Sequence, residues 1–452
     1  MKKMIRVSLC LSIVLVLFSI LGGCSKVSEN SSSESSSSSS EVKVDFGGRT
    51  INFAAWMELA PKAGTKTGDE MVARSAAMET EFNCKIKYLV VPFEQYLNKL
   101  ITTTMAGTPF ADIAAMRNED FLMLVKKGYL TDLGSLAGLD LKDDTIFHQG
   151  ISTMTTIDNK PYGYVTGKIL YPYQVFFWNK SLFERDNLPN LYELQEKGEW
   201  TWAKMREIAK SATKDTNNDG KPDQWGISDS MIDSLIASNN AMQISMTDNK
   251  FIDTMNSAPV VDAYNFYSDI CTKDKTVYFN PDGTTWDQYT KAFGEGKIAM
   301  ISTFLWLQPN FKDMKDDYGI VTFPKGPNAT EYATPLSAVM MCVPKTDKDK
   351  DKLGYFITAY SKPLPSAEGN DELWRTSPAY ADTVRDNESL DSLDIIFKGQ
   401  TVPQYYLCFY PDYVNNYYGI NYTISRGLKT PGAAIDEFSK KGQGFIDNAF
   451  KN

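Results

Sequence analysis

The stretch that decides the fold is Val175–Gly226, which reads VFFWNKSLFERDNLP over 175–189 and EWTWAKMREIAKSATKDTNNDGKPDQWG over 199–226. Its first part is an apolar run that passes into a charged segment. This change of pattern predicts a strand followed at once by a helix. Ser181 and Glu184 have the spacing of a capping box, so we expect the helix to begin there.

The second part of the stretch predicts an amphipathic helix that packs on the sheet. Thr201 is suited to be its N-cap, because a threonine hydroxyl can accept a hydrogen bond from a free N–H of the first turn. The apolar residues at helical spacing are Trp202, Met205, Ile208, Ala209 and Ala212. We expect them to face the core rather than a ligand.

The loop after this helix has the spacing of a calcium site. Its candidate ligands are Asp215, Asn217, Asp219, Asp223 and the backbone carbonyl of Lys221. Gly220 stands where such loops turn sharply, but Gly226 replaces the usual bidentate glutamate. The pattern predicts either a weak structural calcium site or an Asx-rich turn that needs no metal. No other cofactor is expected.

Before Val175, strands and helices alternate. Strand patterns at Thr50–Trp56, Cys84–Val91 and Ala111–Met116 are separated by helical patterns at Asp69–Phe82 and Phe93–Met105. This alternation favours a mostly parallel α/β sheet, whose ligands bind outside the carboxyl ends of the strands.

The N-terminus has the pattern of a secretion signal. A basic start, a short apolar run and the small residues before Cys24 predict a signal peptide over 1–23. The site resembles a bacterial lipobox, which implies a lipid on Cys24; an ordinary secretory signal with a chance cysteine is the alternative. The serine-rich segment of 24–47 predicts a flexible linker, because it has too few apolar side chains to fold.

Charge and composition exclude several classes of function. The net charge of −9 and the lack of a basic, aromatic-rich run argue against nucleic-acid binding. Cys84, Cys271, Cys342 and Cys408 are far apart, so they lack metal-ligand spacing, and we expect buried thiols rather than disulfides. His148 is the sole histidine, which disfavours histidine-based nucleophilic catalysis, and we expect it to be structural.

A set of ordered motifs over 96–327 resembles the family-1 extracellular solute-binding lipoproteins of ABC sugar importers. The motifs are YLNKLITTTMAGTPFADIAAM, KKGYLTDL, DNKPYGY, VFFWNKSLF, WTWAKMREIAKSATKDTNNDGKPDQWG, AFGEGKIAM and YGIVTFPKGP. The chain departs from the usual Pro-Asp of the family, since Phe110 and Ala111 separate Pro109 from Asp112.

The resemblance implies a two-lobed periplasmic-binding-protein-like (type II) α/β fold with discontinuous lobes and a hinge. We expect lobe one at 48–163 plus 318–365, and lobe two at 164–317 plus 366–452. The implied function is that of a monomeric, extracytoplasmic receptor, lipid-anchored to the cell membrane, that passes a carbohydrate to an ABC permease. Closure over the ligand requires contacts with both lobes.

A sugar site needs aromatic faces for its C–H patches and polar side chains for its hydroxyls. Trp178, Trp306 and Glu119 fall where maltose-binding relatives contact sugar, while Trp56 ends a predicted strand and Arg117 follows one. The predicted ligand-binding set is Trp56, Glu58, Arg117, Asn118, Glu119, Trp178, Trp306 and Trp374. For each tryptophan the alternative is a buried core position, and for the loop residues it is solvated surface.

Two other functions stay open. A receptor for a non-sugar solute would keep the fold, whereas a surface glycan hydrolase would need two carboxylates at a defined separation. Residues 405–422 contain seven tyrosines, which suit either the core or the cleft.

Overall fold

The computed structural model describes residues 43–167, 174–229, 231–280, 287–346, 348–367, 375 and 384–451. The predicted signal peptide, Cys24 and Trp374 lie outside these residues. Within the described ranges, every helix is too short or too polar to span a bilayer.

The elements of the first half are β1 Arg49–Ala55, α1 Lys66–Glu81, β2 Cys84–Val90, α2 Phe93–Met105, β3 Ile113–Met116, α3 Asn118–Lys126, α4 Gln149–Met154, β4 Thr156–Ile157, β5 Lys160–Pro161, β6 Gln174–Asn179, α5 Lys180–Arg185, α6 Leu191–Glu196, α7 Trp202–Ala212 and β7 Trp225–Ser228. Those of the second half are α8 Ile232–Ser238, β8 Ile244–Thr247, β9 Lys250–Asp253, α9 Ala258–Ser268, β10 Val277–Tyr278, α10 Gln288–Gly294, β11 Ile298–Phe304, β12 Tyr318–Val321, β13 Ala333–Leu336, β14 Met340–Cys342, α11 Lys350–Ser361, α12 Asn387–Lys398, β15 Gln400–Pro403, α13 Asp412–Ser425 and α14 Pro431–Ala449.

The first sheet has the strand order β14-β3-β1-β2. β1 runs parallel to β2 and to β3, whereas β14 is antiparallel to β3. The central strand β3 reads as an apolar run because both of its faces are covered, and all four of its residues are buried. The predicted alternation of strands and helices is confirmed, and α2 has the bounds that its pattern predicts.

The second sheet has the order β10-β7-β11-β6-β12. β7, β10 and β11 are mutually parallel, and β6 is antiparallel to both of its neighbours. β12 therefore belongs to this sheet, although our boundaries assign residue 318 onward to the first lobe. The chain returns to the first sheet after Val321 and before β14.

In the described residues, the chain changes from one sheet to the other between β5 and β6, between β12 and β14, and between α11 and α12. After the second passage, α11 packs with the core of the first sheet through Leu353 and Phe356. After the third, Leu393 of α12 joins the core of the second sheet. Each half is thus discontinuous in sequence, as the resemblance implies.

The folded part begins inside the predicted linker. Val44 and Phe46 are buried in the core of the first sheet, and the Phe46 ring lies 6.0 Å from that of Phe356. The backbone N–H of Phe46 also donates to the carbonyl of Phe82. These contacts show that the linker ends before Val44, because two apolar side chains suffice to join the segment to the core.

The helix after β6 begins differently from our prediction. Asn179, not Ser181, is its N-cap, with its side-chain oxygen accepting from the N–H of Leu182 at 2.8 Å. The Ser181 hydroxyl accepts instead from the N–H of Asp317 at 2.8 Å. Asn179 is better placed because it ends the strand with an extended backbone, which is the conformation that an N-cap requires.

The next predicted helix is confirmed. Thr201 caps α7 by accepting from the N–H of Lys204, and the five apolar residues predicted to face the core are all buried. Trp200 and Trp202 donate from their indole nitrogens to the carbonyl of Thr322 and the hydroxyl of Ser238. Both tryptophans therefore attach α7 to the sheet rather than face a ligand.

The cysteines and the histidine have structural positions. Cys84, Cys271, Cys342 and Cys408 are free and buried, and burial raises the pKa of the Cys408 thiol to about 12. His148 caps α4 by accepting from the N–H of Ile151, and burial lowers its pKa. Both predictions for these residue types are confirmed.

Candidate functional site

Three parallel strands of the first sheet end at one edge, and aromatic and charged side chains follow them there. Trp56 comes directly after β1, and Arg117 comes directly after β3. Phe93 begins α2, two residues after Val91 continues from β2. Adjacent strands lie about 4.8 Å apart, so these residues are brought close together.

The three side chains form one cluster, which we call the first edge cluster (Trp56, Phe93 and Arg117). The Trp56 and Phe93 rings meet edge to face, with centroids 6.0 Å apart. The Arg117 guanidinium lies 4.7 Å from the centre of the Phe93 ring. Phe93 is 49% exposed, so a large apolar face remains open to solvent next to a cation.

Arg117 is held in place by its own helix. Its Nε donates to the Asp120 carboxylate at 2.7 Å, and Asp120 is almost fully buried. Burial raises the pKa of Asp120, while the Arg117 charge opposes that rise. The pair therefore fixes the guanidinium over Phe93 at the start of α3.

The other predicted residues of this edge differ in exposure. Asn118 is buried, and its amide donates to the Ser337 hydroxyl at 2.7 Å. Glu119 is half-buried, and burial raises its pKa. Glu58 is exposed and accepts from the N–H of Ala60. Asn118 thus holds the edge together from inside, whereas Glu119 and Glu58 stand nearer the solvent.

The second sheet presents a comparable edge where β7, β10 and β11 end. Trp306 lies two residues beyond the last residue of β11, Phe304. It is 50% exposed, and its ring stacks on that of Phe304 at 5.5 Å with an interplanar angle of 13°. A tryptophan supported on one side and half-exposed is suited to stack on a ligand, as predicted for this position.

Trp178 does not reach this edge, which corrects our prediction for it. Because β6 is antiparallel to β11, Trp178 pairs with Met300 near the beginning of β11, whereas Phe304 at its end pairs with Gln174. These pairings place Trp178 about 13 Å from that end of the sheet. Trp178 is 3% exposed and packs between Phe183 and Tyr192. It is a core residue in this structure.

The loop 215–223 is closed by its own backbone. Asp215 accepts from the N–H groups of Asp219 and Gly220, and Asp219 accepts from that of Lys221. Asp223 accepts from the Thr216 hydroxyl and from the N–H groups of Thr216 and Asn217, and these bonds, the hydroxyl's first, lower its pKa.

Across the described residues, no three acidic, histidine or cysteine side chains converge as metal ligands. The hydrogen bonds of this loop are those of an Asx-rich turn, and the calcium prediction stays untested. The loop precedes β7, so it lies at the edge of the sheet opposite Trp306.

The tyrosine-rich segment 405–422 divides between core and surface. Tyr405, Tyr406, Tyr413 and Tyr417 are buried, and Tyr417 donates to the buried carboxylate of Asp233. The exposed members are Tyr410, Tyr418 and Tyr422. Half of the segment thus fixes α13 on its neighbours, and the rest remains available at the surface.

A cavity of about 330 Å³ lies between α3 and the C-terminal helix α14. Met123, Lys126, Tyr410 and Phe445 are among its lining residues, and Lys126 donates to the carbonyl of Phe450 at 3.1 Å. Because Lys126 is the last residue of α3, the cavity extends away from the edge where Arg117 begins that helix. We do not include it in the candidate site.

Sequence reasoning missed Phe93, which the structure places at the centre of the first edge cluster. The signal was present, since Phe93 follows the end of a predicted strand by a few residues. It was hidden because Phe93 also begins a predicted helix, and an aromatic residue there suggests packing.

Comparisons with known proteins agree with this architecture. Residues 47–363 match the family model described as bacterial extracellular solute-binding protein. No curated protein matches the chain.

Three similar solved structures are an ABC substrate-binding protein from Listeria monocytogenes in complex with cycloalternan, a cyclic alpha-maltosyl-1,6-maltose binding protein from Arthrobacter globiformis, and the sugar-binding protein MalE from Xanthomonas citri. The first has a TM-score of 0.57 at 20% identity, covering 89% of this chain and 100% of the other. The second has 0.63 at 16%, covering 89% and 100%, and the third has 0.63 at 16%, covering 88% and 98%. At these identities the likeness establishes the fold, and the predicted two-lobed α/β fold is confirmed.

Proposed function

This chain belongs to the bacterial extracellular solute-binding protein family, and from that membership we propose that it captures a carbohydrate, most suitably an oligosaccharide, between its two lobes. The captured sugar is then delivered to an ABC permease. The chain itself carries out no covalent chemistry in this proposal, and no cofactor takes part.

The observation that carries the proposal is the pair of aromatic edges. The first edge cluster offers rings and a fixed cation at the carboxyl ends of the parallel strands of one sheet, and Trp306 offers a supported indole at the carboxyl ends of the parallel strands of the other. Ligands of α/β sheets bind at such ends. Rings suit the C–H faces of a sugar, and the neighbouring charged groups suit its hydroxyls.

Saccharides are also what several similar structures were solved with, among them the cycloalternan complex from Listeria monocytogenes. That likeness supports a sugar rather than a peptide as the first ligand to test. Contacts from both edges would favour the closed arrangement of the lobes, because a ligand shifts an equilibrium only through its different affinities for the two states.

The membrane anchor is part of the proposal. A lipid on Cys24, followed by a serine-rich linker, would keep the receptor near its permease while letting the folded part turn. Mass spectrometry of the protein from its native membrane tests this step. A mature N-terminus at Cys24 with added acyl mass is the expected result, and cleavage elsewhere without lipid contradicts it.

The carbohydrate proposal is tested by thermal melting of the purified protein with a panel of sugars, oligosaccharides and peptides. A ligand that binds the folded state raises the melting temperature by mass action. Stabilisation by a saccharide is expected, and stabilisation by peptides alone would overturn the proposal. Release of reducing ends from a stabilising oligosaccharide would instead identify a hydrolase.

A further inference from the structure

Beside Trp306, the second sheet ends in a group of side chains that the predicted site does not include. Asp229 follows β7 directly, and Phe279 follows β10 directly. Because β7 lies between β10 and β11, Asp229 stands between Phe279 and the strand that leads to Trp306. Arg426, which ends α13, reaches over this group.

Arg426 is positioned by aromatic rings alone. Its guanidinium carbon lies 3.9 Å from the centre of the Phe279 ring and 5.8 Å from that of exposed Tyr422. Among the described residues it has no hydrogen-bond or ion-pair partner. By contrast, Arg117 donates to a carboxylate and Arg385 to backbone carbonyls. Arg426 therefore presents five N–H donors that no described residue accepts.

Asp229 offers a hydrogen-bond acceptor beside the donors of Arg426. Its backbone carbonyl accepts from the Tyr267 hydroxyl at 3.1 Å and from the N–H of Met231. Its carboxylate is half-buried, and among the described residues the hydrogen bond it accepts comes from its own backbone N–H. Burial raises the pKa of Asp229 to about 6, against the opposing charge of Arg426. A half-buried carboxylate with one backbone donor still has unused acceptor sites, and the hydroxyl groups of a ligand could fill them.

From this geometry we propose that Asp229, Phe279, Tyr422 and Arg426 form a second carbohydrate subsite that continues from Trp306 and binds a further unit of a neutral oligosaccharide. The inference rests on the proposed function. One hydroxyl of the sugar donates to the Asp229 carboxylate, and a neighbouring hydroxyl accepts from the Arg426 guanidinium. The Tyr422 ring lies beside the guanidinium and covers an apolar face of the sugar.

The pair of opposite charges selects the class of ligand. An anionic sugar would be attracted to Arg426 but repelled by Asp229 beside it, whereas a neutral polyol satisfies both groups at once. Because Arg426 lies on Phe279 before any ligand arrives, little side-chain entropy is lost on binding. The subsite therefore favours neutral sugars that are long enough to extend past Trp306.

The test is calorimetric titration of the full-length protein in detergent with maltose, maltotriose and maltotetraose, and with cellobiose and cellotetraose. The variants are Arg426→Ala and Asp229→Asn. Lys440→Ala is the matched control, because it removes an exposed cation from the neighbouring helix α14. Melting curves of the unliganded variants establish that each one is folded.

We expect each subsite variant to lose affinity for the longest bound sugar by at least about tenfold, the range of a hydrogen bond to a charged group. The shortest bound sugar should lose little, and Lys440→Ala should change neither. Equal losses for short and long sugars, or no loss at all, would overturn the subsite while leaving the receptor proposal intact. If the unmodified protein binds no saccharide of either series, both proposals fail together.

Discussion

Trp178 lies on β6 and Trp306 lies just beyond the neighbouring strand β11, yet the two residues occupy opposite ends of one sheet. Trp306 follows the end of β11 and is half-exposed, whereas Trp178 is near the end of β6 and is buried. The difference comes from the antiparallel pairing of β6 with β11, which places the end of β6 beside the beginning of β11. An aromatic residue near the end of a strand reaches the ligand edge only when that strand runs parallel to the other strands that end there.

The largest effect that separates the two tryptophans concerns stability. Trp178→Ala should lower the free energy of unfolding by about 3–5 kcal/mol, because a large core side chain is replaced by a cavity. Urea unfolding measures the change, with the exposed Trp306→Ala as control. Unchanged stability together with lost sugar binding would contradict the core position and would indicate that Trp178 contacts the sugar.

Trp306→Ala should instead reduce the affinity for saccharide by at least about tenfold, or ~1.4 kcal/mol, by removing a stacking surface. Titration with the sugar that stabilises the protein most measures this loss. The melting temperature without ligand should change little, since half of the side chain is already exposed. Full affinity in the variant would show that the second edge does not bind the sugar.

The first edge cluster should respond in the same way but less strongly. Phe93→Ala removes an exposed ring while the ion pair between Arg117 and Asp120 remains, so we expect affinity to fall several-fold, on the scale of an aromatic contact of about 1 kcal/mol. Val90→Ala is a matched control, because Val90 is an exposed apolar residue at the end of β2, the strand that precedes Phe93. Equal effects of the two changes would contradict a specific role for Phe93.

The pH dependence of sugar binding tests the role of the Asp229 carboxylate. Sugar affinity should fall by a few-fold as the pH drops through about 6, because protonation of Asp229 removes the charge that strengthens its hydrogen bond from the sugar. Arg426 faces this carboxylate from α13, Tyr267 faces it from α9, and Cys271 faces it from the segment after α9.

The stability of the unliganded protein should change with pH in the opposite direction to the sugar affinity. Because its pKa is raised, the neutral form suits the buried position, and this group stabilises the fold as the pH falls from about 6 towards its ordinary value near 4. Between pH about 4 and about 6, Asp229→Asn should reduce the pH dependence of the sugar affinity and that of the stability. A binding profile that keeps its pH dependence in this variant would assign the effect to another group.

The smallest effect is expected at the loop 215–223, on the edge opposite Trp306. Its oxygens already accept backbone N–H groups, so adding a chelator to calcium-loaded protein should leave the melting temperature unchanged. A clear drop on chelation would instead establish a structural calcium site there.

The sequence predicts elements well where local pattern decides them. The bounds of α2 and the buried face of α7 follow from periodicity, and Thr201 caps α7 because local hydrogen bonding favours it. The direction of β6 is not local, since it depends on which strands pair with it after the whole chain has folded. The prediction for Trp178 failed at that step, not in its description of the strand.

The candidate site also combines residues whose positions follow from local sequence with residues whose positions depend on tertiary packing. Trp56, Arg117 and Trp306 could be found because each follows a strand that runs in the common direction. Arg426 could not be found, because it ends a helix far along the chain and meets Phe279 only through tertiary packing. Contacts that form between distant segments of the chain leave no signal in sequence spacing.

The burial of Cys84, Cys271, Cys342 and Cys408 has a practical consequence. Thiol reagents attack the exposed thiolate, and burial suppresses both exposure and ionisation at these positions. A single cysteine introduced on each side of the proposed cleft would therefore react selectively in the native protein. Fluorescent labels on such a pair would make lobe closure observable as a change in energy transfer.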